Sequence, residues 1–150
     1  MMKNKKTYFK PSMFVLIITT ALVLFTAYSF WGLEISIIGP IILLSLDIVL
    51  FCFMPIYTID SEESIIVKHI IGKHIFKKDE YNIKPLEPKS LNNYIKTFAS
   101  GGAFGYTGFF YSKALGSFTV MTLNLKIDQI ALLEHKESHK KIIINYYIDK

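Results

Sequence analysis

Two long apolar runs near the N-terminus constrain this chain more than any other feature. The first run, residues 13–31, contains no charged side chain, and the second, residues 35–55, contains only Asp47. A helix of about 20 apolar residues is long enough to cross the roughly 30 Å hydrocarbon core of a bilayer. The runs therefore predict a transmembrane helical hairpin over residues 13–55, with a short basic tail before it and one domain after it.

The distribution of lysine orients the predicted hairpin. The tail, residues 1–12, contains four lysines, whereas the connecting turn at residues 32–34 contains none. Because cytoplasmic segments beside membrane helices are enriched in Lys and Arg, both termini and the domain at residues 56–150 are expected in the cytoplasm. The chain is thus predicted to be a multi-pass protein of the cytoplasmic (inner) membrane. A cleavable signal peptide is the alternative, but the first run exceeds the usual apolar stretch of about 7–15 residues.

The charge of the domain argues against nucleic-acid binding. Residues 56–150 contain 13 Lys and 10 Asp or Glu, a net charge of +3, and the whole chain contains no Arg. Bidentate recognition of phosphate is a property of Arg, so no nucleic-acid partner is expected. The single cysteine, Cys52, lies in the second apolar run, so no internal disulfide can form.

Asp47 is the one ionisable residue well inside a predicted span. Charged side chains at such a depth are costly unless they are paired. When the hairpin is folded about residue 33, Asp47 lies at the depth of Thr19 and Thr20, whose hydroxyl groups can act as hydrogen-bond partners on the facing helix. A hydrogen bond between the helices, or snorkelling to the interface, is the favoured interpretation. A proton or ion site is the alternative, and a role in homo-oligomer formation stays open.

Beyond Pro55 the apolar pattern changes to the alternation that is typical of strands. Ile65 and Val67 fall on one face of an extended segment, and Gly72 follows in a tight turn. Later segments rich in β-branched and aromatic residues lie at 93–98, 109–111, 117–125, 129–135 and 140–148. About seven short strands at hairpin spacing predict a small antiparallel sandwich or open barrel. The proline-containing segment at 84–90 is expected to be a loop.

The segment at residues 96–116, KTFASGGAFGYTGFFYSKALG, is the most distinctive part of the domain. It resembles a bacterial PH-like domain family whose members often follow an N-terminal membrane hairpin. The matching positions are Phe98, Ser100, Gly101, Gly102, Phe104, Gly105, Tyr106, Gly108, Leu115 and Gly116. Lys96 and Ala99 stand where the family pattern has Arg and Gly. The resemblance covers residues 56–150 and implies a PH-like barrel without catalytic residues. A PH fold normally ends in a capping helix, and that helix is expected to be missing because the chain stops directly after a strand.

The same segment has unusual backbone requirements. Four glycines within eight residues indicate positive φ angles or close approach of another chain segment. Their spacing lacks the phosphate-loop and dinucleotide-binding signatures, so a nucleotide site is disfavoured. We expect an ordered Ω-like loop at residues 100–108, with Phe98 and Phe104 at least partly buried and Tyr106 exposed. The alternative is a recognition surface that includes Lys96 and the aromatic residues of this loop.

No motif in the sequence indicates catalysis or a metal site. His135 and His139 have a spacing that binds zinc when it occurs on a helix, but the segment between them is typical of a β-turn. A nucleophile elbow does not occur in the sequence either. We therefore expect no enzymatic activity, no metal and no cofactor.

The sequence thus predicts a membrane-anchored, non-enzymatic binding or scaffold module that presents a PH-like domain at the cytoplasmic face of the membrane. Its expected partner is a protein or a lipid headgroup. A domain that senses lipid headgroups or a small ligand is one alternative function. A small subunit of a membrane protein complex is another.

Overall fold

The computed structural model describes residues 5–31, 37–87, 91, 94–125 and 129–147. Within these ranges the chain forms two helices and ten strands, so it is mostly β, as expected. The first helix, α1 (Met13–Trp31), coincides with the first apolar run. The second helix, α2 (Ile38–Cys52), is shorter than the span expected at 35–55. The turn expected at 32–34 lies outside the described residues.

Helix α2 ends early because a proline follows it closely. Phe53 leaves the helical region with φ −86° and ψ 0°, and Pro55 disfavours helical geometry at Met54. Among the described residues, α1 is the one helix long and apolar enough to cross a membrane or to serve as a signal sequence. Helix α2 is apolar but has 15 residues, so its length does not support the second predicted span.

Each helix buries only a narrow stripe of side chains. In α1 the buried or half-buried residues are Val15, Thr19, Leu22, Thr26 and Ser29, and in α2 they are Pro40, Leu43, Asp47, Leu50 and Cys52. Apart from Cys52 at the end of α2, these residues follow alternating spacings of three and four, which place them on one face of each helix. The other apolar side chains of both helices are exposed.

The first sheet is antiparallel and contains four strands. They lie in the order β1 (Lys5–Tyr8), β2 (Pro55–Asp60), β3 (Ser64–His69) and β4 (Lys73–Lys77). Strand β1 was not expected, because only four residues of the basic tail are involved and they show no apolar alternation. It pairs with β2, and the rings of Tyr8 and Tyr57 pack together at a centroid distance of 5.1 Å.

The second sheet contains six strands in the order β5-β9-β10-β8-β7-β6. Their bounds are β5 Tyr81–Pro85, β6 Ile95–Gly102, β7 Gly105–Ser112, β8 Gly116–Thr122, β9 Ile130–His135 and β10 Lys141–Asn145. Strand β5 occupies the start of the segment expected to be a loop. As an edge strand it tolerates Pro85 at its end; residues 88–90 of that segment lie outside the described residues.

One further expectation about the sheets is corrected. Strand β10 inserts between β9 and β8 and runs parallel to β8, so the fold is not purely antiparallel. Neither sheet closes on itself, so the described strands form two open sheets, which is compatible with the expected sandwich or open barrel.

Two apolar clusters hold these elements together. One joins Ile65, Val67 and Phe76 of the first sheet to Leu133 and Ile144 of the second, so the two sheets pack against each other. The other lies on the second sheet and includes Val15 of α1. The beginning of the apolar helix is therefore part of the core of the β-domain.

Candidate functional site

The glycine-rich segment, the main candidate site, forms a β-hairpin. Strand β6 ends at Gly102 and β7 begins at Gly105, and these glycines pair across a two-residue turn of Ala103 and Phe104. Two-residue hairpin turns require positive φ, and Phe104 has a φ of 56°. The Ω-like loop expected here is therefore wrong, because the segment pairs its backbone within the sheet.

Three glycines of this hairpin adopt positive φ angles, as the sequence predicts. The φ angle is +133° at Gly102, +120° at Gly105 and +125° at Gly108. A Cβ atom at Gly108 would lie 2.4 Å from the carbonyl oxygen of Phe98, and one at Gly102 would lie 2.8 Å from the Phe14 ring. Gly108 therefore allows β6 and β7 to approach, and Gly102 allows the hairpin to approach α1.

The polar side chains of the segment stabilise its own turn. Ser100 Oγ donates a hydrogen bond to the carbonyl oxygen of Ala103 at 2.6 Å. Lys96 Nζ donates to the carbonyl oxygen of Gly101 at 3.2 Å. Both contacts are within the hairpin, so they support a structural role for these two side chains.

The hairpin turn packs between the two helices. Thr19 Oγ1 accepts a hydrogen bond from the backbone N–H of Phe104 at 2.8 Å and lies 3.4 Å from the carbonyl oxygen of Gly102. On the other side, the ring of Phe104 contacts that of Phe51 near the end of α2, at a centroid distance of 5.8 Å. Phe104 is buried, as expected, because both helices cover it.

Asp47 does bond across the helix pair, but to a different residue from those expected. Its Oδ2 accepts a hydrogen bond from Thr26 Oγ1 at 2.8 Å, and both side chains are buried. Thr19 is engaged by the hairpin, and Thr20 is exposed. The expected pairing was wrong because Asp47 pairs with Thr26, whose distance along the sequence corresponds to a fold about residues 36 and 37 rather than about residue 33. Thr19 and Thr26 are seven residues apart, and this spacing in the sequence indicates that both lie on the same face of α1.

The two aromatic exposures expected in the segment are reversed. Phe98 is 81% exposed, whereas Tyr106 is only 5% exposed. Tyr106 packs in the core cluster with Val15, and this burial raises the pKa of its hydroxyl, against the effect of a hydrogen bond with Ser12. Phe98 instead pairs with the exposed Phe109 on the outer face of the hairpin. The contribution of Phe109 was not foreseen.

A second joint connects the end of α2 to the turn after β3. His69 Nδ1 donates to the carbonyl oxygen of Phe53 at 2.7 Å. The backbone N–H groups of Ile70 and Ile71 donate to the carbonyls of Met54 and Cys52, each at 3.2 Å. The carbonyls at a helix end lack partners within the helix, so this turn stabilises the end of α2. The role of His69 is not predictable from the sequence, since its partner is a backbone atom.

The surroundings of His69 also shift its pKa. Burial lowers its pKa, and the nearby His74 and Lys68 lower it further, against the effect of the hydrogen bond to Phe53. Its Nε2 atom is buried and has no hydrogen-bond partner among the described residues. His69 is therefore neutral at pH 7, with its proton on Nδ1.

The domain has an open groove at the end of the first sheet that is remote from α2. The groove has a volume of about 530 Å³ and is lined by Glu62, Glu63, Ser64, Ile75, Lys77, Lys78 and Asp79. Lys78 pairs with Asp60 at 2.7 Å and Lys77 with Glu80 at 2.9 Å. The lining therefore mixes both signs of charge.

His135 and His139 flank the β9–β10 turn, with the N–H of His139 donating to the carbonyl of His135 at 2.9 Å.

Comparison with known proteins identifies no relative of this chain. No protein-family model matches it, and neither the curated proteins nor the solved structures contain a significant match.

Proposed function

We propose that this protein is a membrane-anchored, non-enzymatic binding or scaffold module, with both helices in the cytoplasmic membrane and the β-domain at its cytoplasmic face. The observation that carries this proposal is the contrast between the two parts of each helix. Helix α1 is fixed to the β-domain through Thr19, and the end of α2 is fixed to it through His69 of β3. Most of the remaining surface of both helices is apolar and exposed.

The exposed helix surface supports membrane anchoring. Only 11% of an 18-residue apolar stretch of α1 is buried within the protein. Exposed apolar patches larger than a few hundred Å² mark contact with a membrane or another protein. Helix α2, at about 22 Å, is shorter than the hydrocarbon core, and bilayers accommodate such a helix by local thinning. The lysine-rich tail supports a cytoplasmic location of the termini.

A binding role is favoured over catalysis by the sequence, which lacks a nucleophile elbow, a phosphate-binding loop and a metal-ligand motif. A PH-like classification of the domain rests on the glycine-rich segment and on its β-hairpins. The lining of the groove that contains Lys78 has more carboxylates than lysines, which suits a charged protein surface better than a phosphate group. We therefore favour a protein partner over a lipid headgroup.

Topology is tested with reporters fused after Lys150 in the full chain. A green fluorescent protein fusion is expected to fluoresce and an alkaline phosphatase fusion to be inactive, because both termini are proposed to be cytoplasmic. An active phosphatase fusion would place the C-terminus outside and overturn the proposed topology. Release of the protein from membranes by alkaline carbonate would overturn anchoring itself.

Partner binding is tested by cross-linking the full chain in membranes before purification in detergent. A protein cross-linked to the wild type is expected to be lost with Lys78→Glu, which reverses a charge in the groove. It should be retained with Lys84→Glu, an exposed lysine on β5. Equal capture by both variants would exclude the groove. Purification of the wild type with a stoichiometric anionic lipid and no protein would favour the headgroup-sensing alternative.

A further inference from the structure

We infer that the glycine-rich hairpin is itself a membrane-contacting element, whose exposed Phe98–Phe109 pair lies in the headgroup region of the bilayer. This inference rests on the proposed membrane anchoring. It assigns a lipid-binding surface to a segment whose other face belongs to the core of the domain.

The length of α1 provides the first argument. The hairpin turn is hydrogen-bonded to Thr19, the seventh residue of the helix, and Gly102 contacts Phe14 in its first turn. Beyond Thr19 the helix continues only to Trp31, which is about 18 Å at 1.5 Å per residue. That length is about 12 Å short of a hydrocarbon core of about 30 Å, a larger deficit than the one of about 8 Å that local thinning must offset at α2. If α1 spans the membrane, the hairpin turn must therefore enter the membrane surface beside it.

The position of the aromatic pair along the hairpin provides the second argument. Thr19 lies about 9 Å along α1 from Met13. Phe98 lies four residues before Gly102, which is about 13 Å back along the strand from the turn. When the strand runs along the helix, the pair is therefore about level with the beginning of α1. This is the depth of the headgroups, where aromatic side chains are enriched in membrane proteins.

The chemistry of the pair provides the third argument. Phe98 and Phe109 are direct cross-strand neighbours, 81% and 58% exposed, on the edge strand β6 of the second sheet and on its neighbour β7. A β-bulge at Thr97 then places Ile95 opposite Tyr111, and both of these side chains are exposed as well. Because the bulge keeps Ile95 rather than Lys96 opposite Tyr111, the exposed apolar surface continues along the hairpin.

Depth-dependent fluorescence quenching tests this inference on the full-length protein. The reporter is Phe98→Trp combined with Trp31→Phe, so that the chain contains one tryptophan. The protein is reconstituted in vesicles of phosphatidylcholine and phosphatidylglycerol, with or without phosphatidylcholine brominated near the top of its acyl chains. The matched control is Ile75→Trp in the same background, because Ile75 is an exposed apolar strand residue that lines the remote groove.

The expected result is quenching of the tryptophan at position 98 at least about twofold stronger than that at position 75, because aromatic residues of the interface contact lipid. Equal quenching at the two positions would overturn the inference. Weaker quenching at position 98 than at position 75 would also overturn it. An unchanged melting temperature of each variant in detergent verifies that the fold is intact.

The unmodified protein separates this inference from the anchoring proposal. Its own Trp31, at the end of α1, is expected to be quenched in the same vesicles. Quenching of Trp31 without quenching at position 98 rejects the hairpin contact and leaves anchoring intact. Absence of quenching at Trp31 rejects anchoring and the hairpin contact together.

Discussion

Thr19 Oγ1 accepts a hydrogen bond from the backbone N–H of Phe104 at 2.8 Å, across 85 residues of the chain. The same hydroxyl lies within hydrogen-bond distance of the carbonyl oxygen of Gly102. One side chain of the apolar helix therefore satisfies both a donor and an acceptor of the hairpin turn. The helix and the β-domain are joined at a fixed point, which a flexible tether would not provide.

Thr19→Val tests this joint by removing the hydroxyl while keeping the shape of the side chain. It leaves the N–H of Phe104 without its partner, so the apparent free energy of unfolding is expected to fall by about 1–3 kcal/mol. The measurement is denaturant unfolding of the full chain in detergent micelles, followed by circular dichroism. Thr20→Val is the control, since Thr20 is exposed and its loss should change stability little. Equal stabilities of the two variants would contradict the proposed joint.

Gly108 is expected to be the glycine of the hairpin least tolerant of substitution. In Gly108→Ala the new Cβ would meet backbone atoms of Phe98 and Ala99, at 2.4 Å and 2.6 Å, in addition to the strain of its positive φ. Gly116→Ala is the control, because Gly116 also has a positive φ but has open space around it. Backbone strain alone costs about 1–3 kcal/mol of stability in either variant. The additional clash should make Gly108→Ala less stable than Gly116→Ala by about 1–3 kcal/mol, as measured by thermal unfolding. Similar melting temperatures would refute the close approach of β6 and β7.

The parts of the fold that were predictable depend on local sequence. The bounds of α1 follow from a run without charge, and most strands follow from alternation and turn residues. The parallel pairing of β8 with β10 was not predictable, since it depends on which neighbour a returning strand selects. Strand β1 is held mainly by pairing with a strand about 50 residues away, and its own four residues carry no pattern.

The candidate site was predictable to a similar extent. Positive φ angles at Gly102 and Gly105 follow from glycine chemistry, and the structure agrees. The burial of Tyr106 and the exposure of Phe98 did not follow, because both faces of this hairpin carry aromatic residues. When both faces are apolar, alternation cannot identify the inner one. The partner of Asp47 was missed because its identity depends on where the two helices begin to pair.

The buried pair of Thr26 and Asp47 is expected to stabilise the packing of α1 on α2. Thr26→Val removes the donor at 2.8 Å and should destabilise the protein by about 0.6–2 kcal/mol, the range for hydrogen bonds between membrane helices. Asp47→Asn retains a carbonyl oxygen that accepts the same hydrogen bond, so it should be tolerated better than Asp47→Leu. Thermal unfolding in detergent measures all three variants. A Leu variant as stable as the Asn variant would show that the hydrogen bond contributes nothing.

His69 is expected to make stability depend on pH below neutrality. Its folded-state pKa lies below the ordinary value of 6.5, because burial disfavours the charged imidazolium. As the pH falls below 6.5, the unfolded chain therefore binds the proton before the folded chain does. The contribution of His69 to stability is complete above 6.5 and is lost progressively as the pH approaches the lower folded-state pKa.

Denaturant unfolding between about pH 7.5 and about pH 5 measures this effect, because the loss of stability is expected below 6.5. His69→Gln removes the titrating group and should flatten the pH dependence. His139→Asn is the control, because His139 is exposed and Asn tolerates its positive φ of 53°. An unchanged pH profile in His69→Gln would show that another group is responsible.

Tyr106→Ala is expected to destabilise the domain strongly, because this tyrosine lies in the core rather than on a recognition surface. Its ring packs in the same cluster as Val15 of α1 and is 5% exposed. Truncating a buried aromatic side chain costs about 3–5 kcal/mol, through lost burial and the cavity that remains. The matched control is Tyr111→Ala on the same strand, which removes a side chain that is 43% exposed. Denaturant unfolding in detergent micelles compares the two variants, and equal losses of stability would show that Tyr106 does not connect α1 to the core.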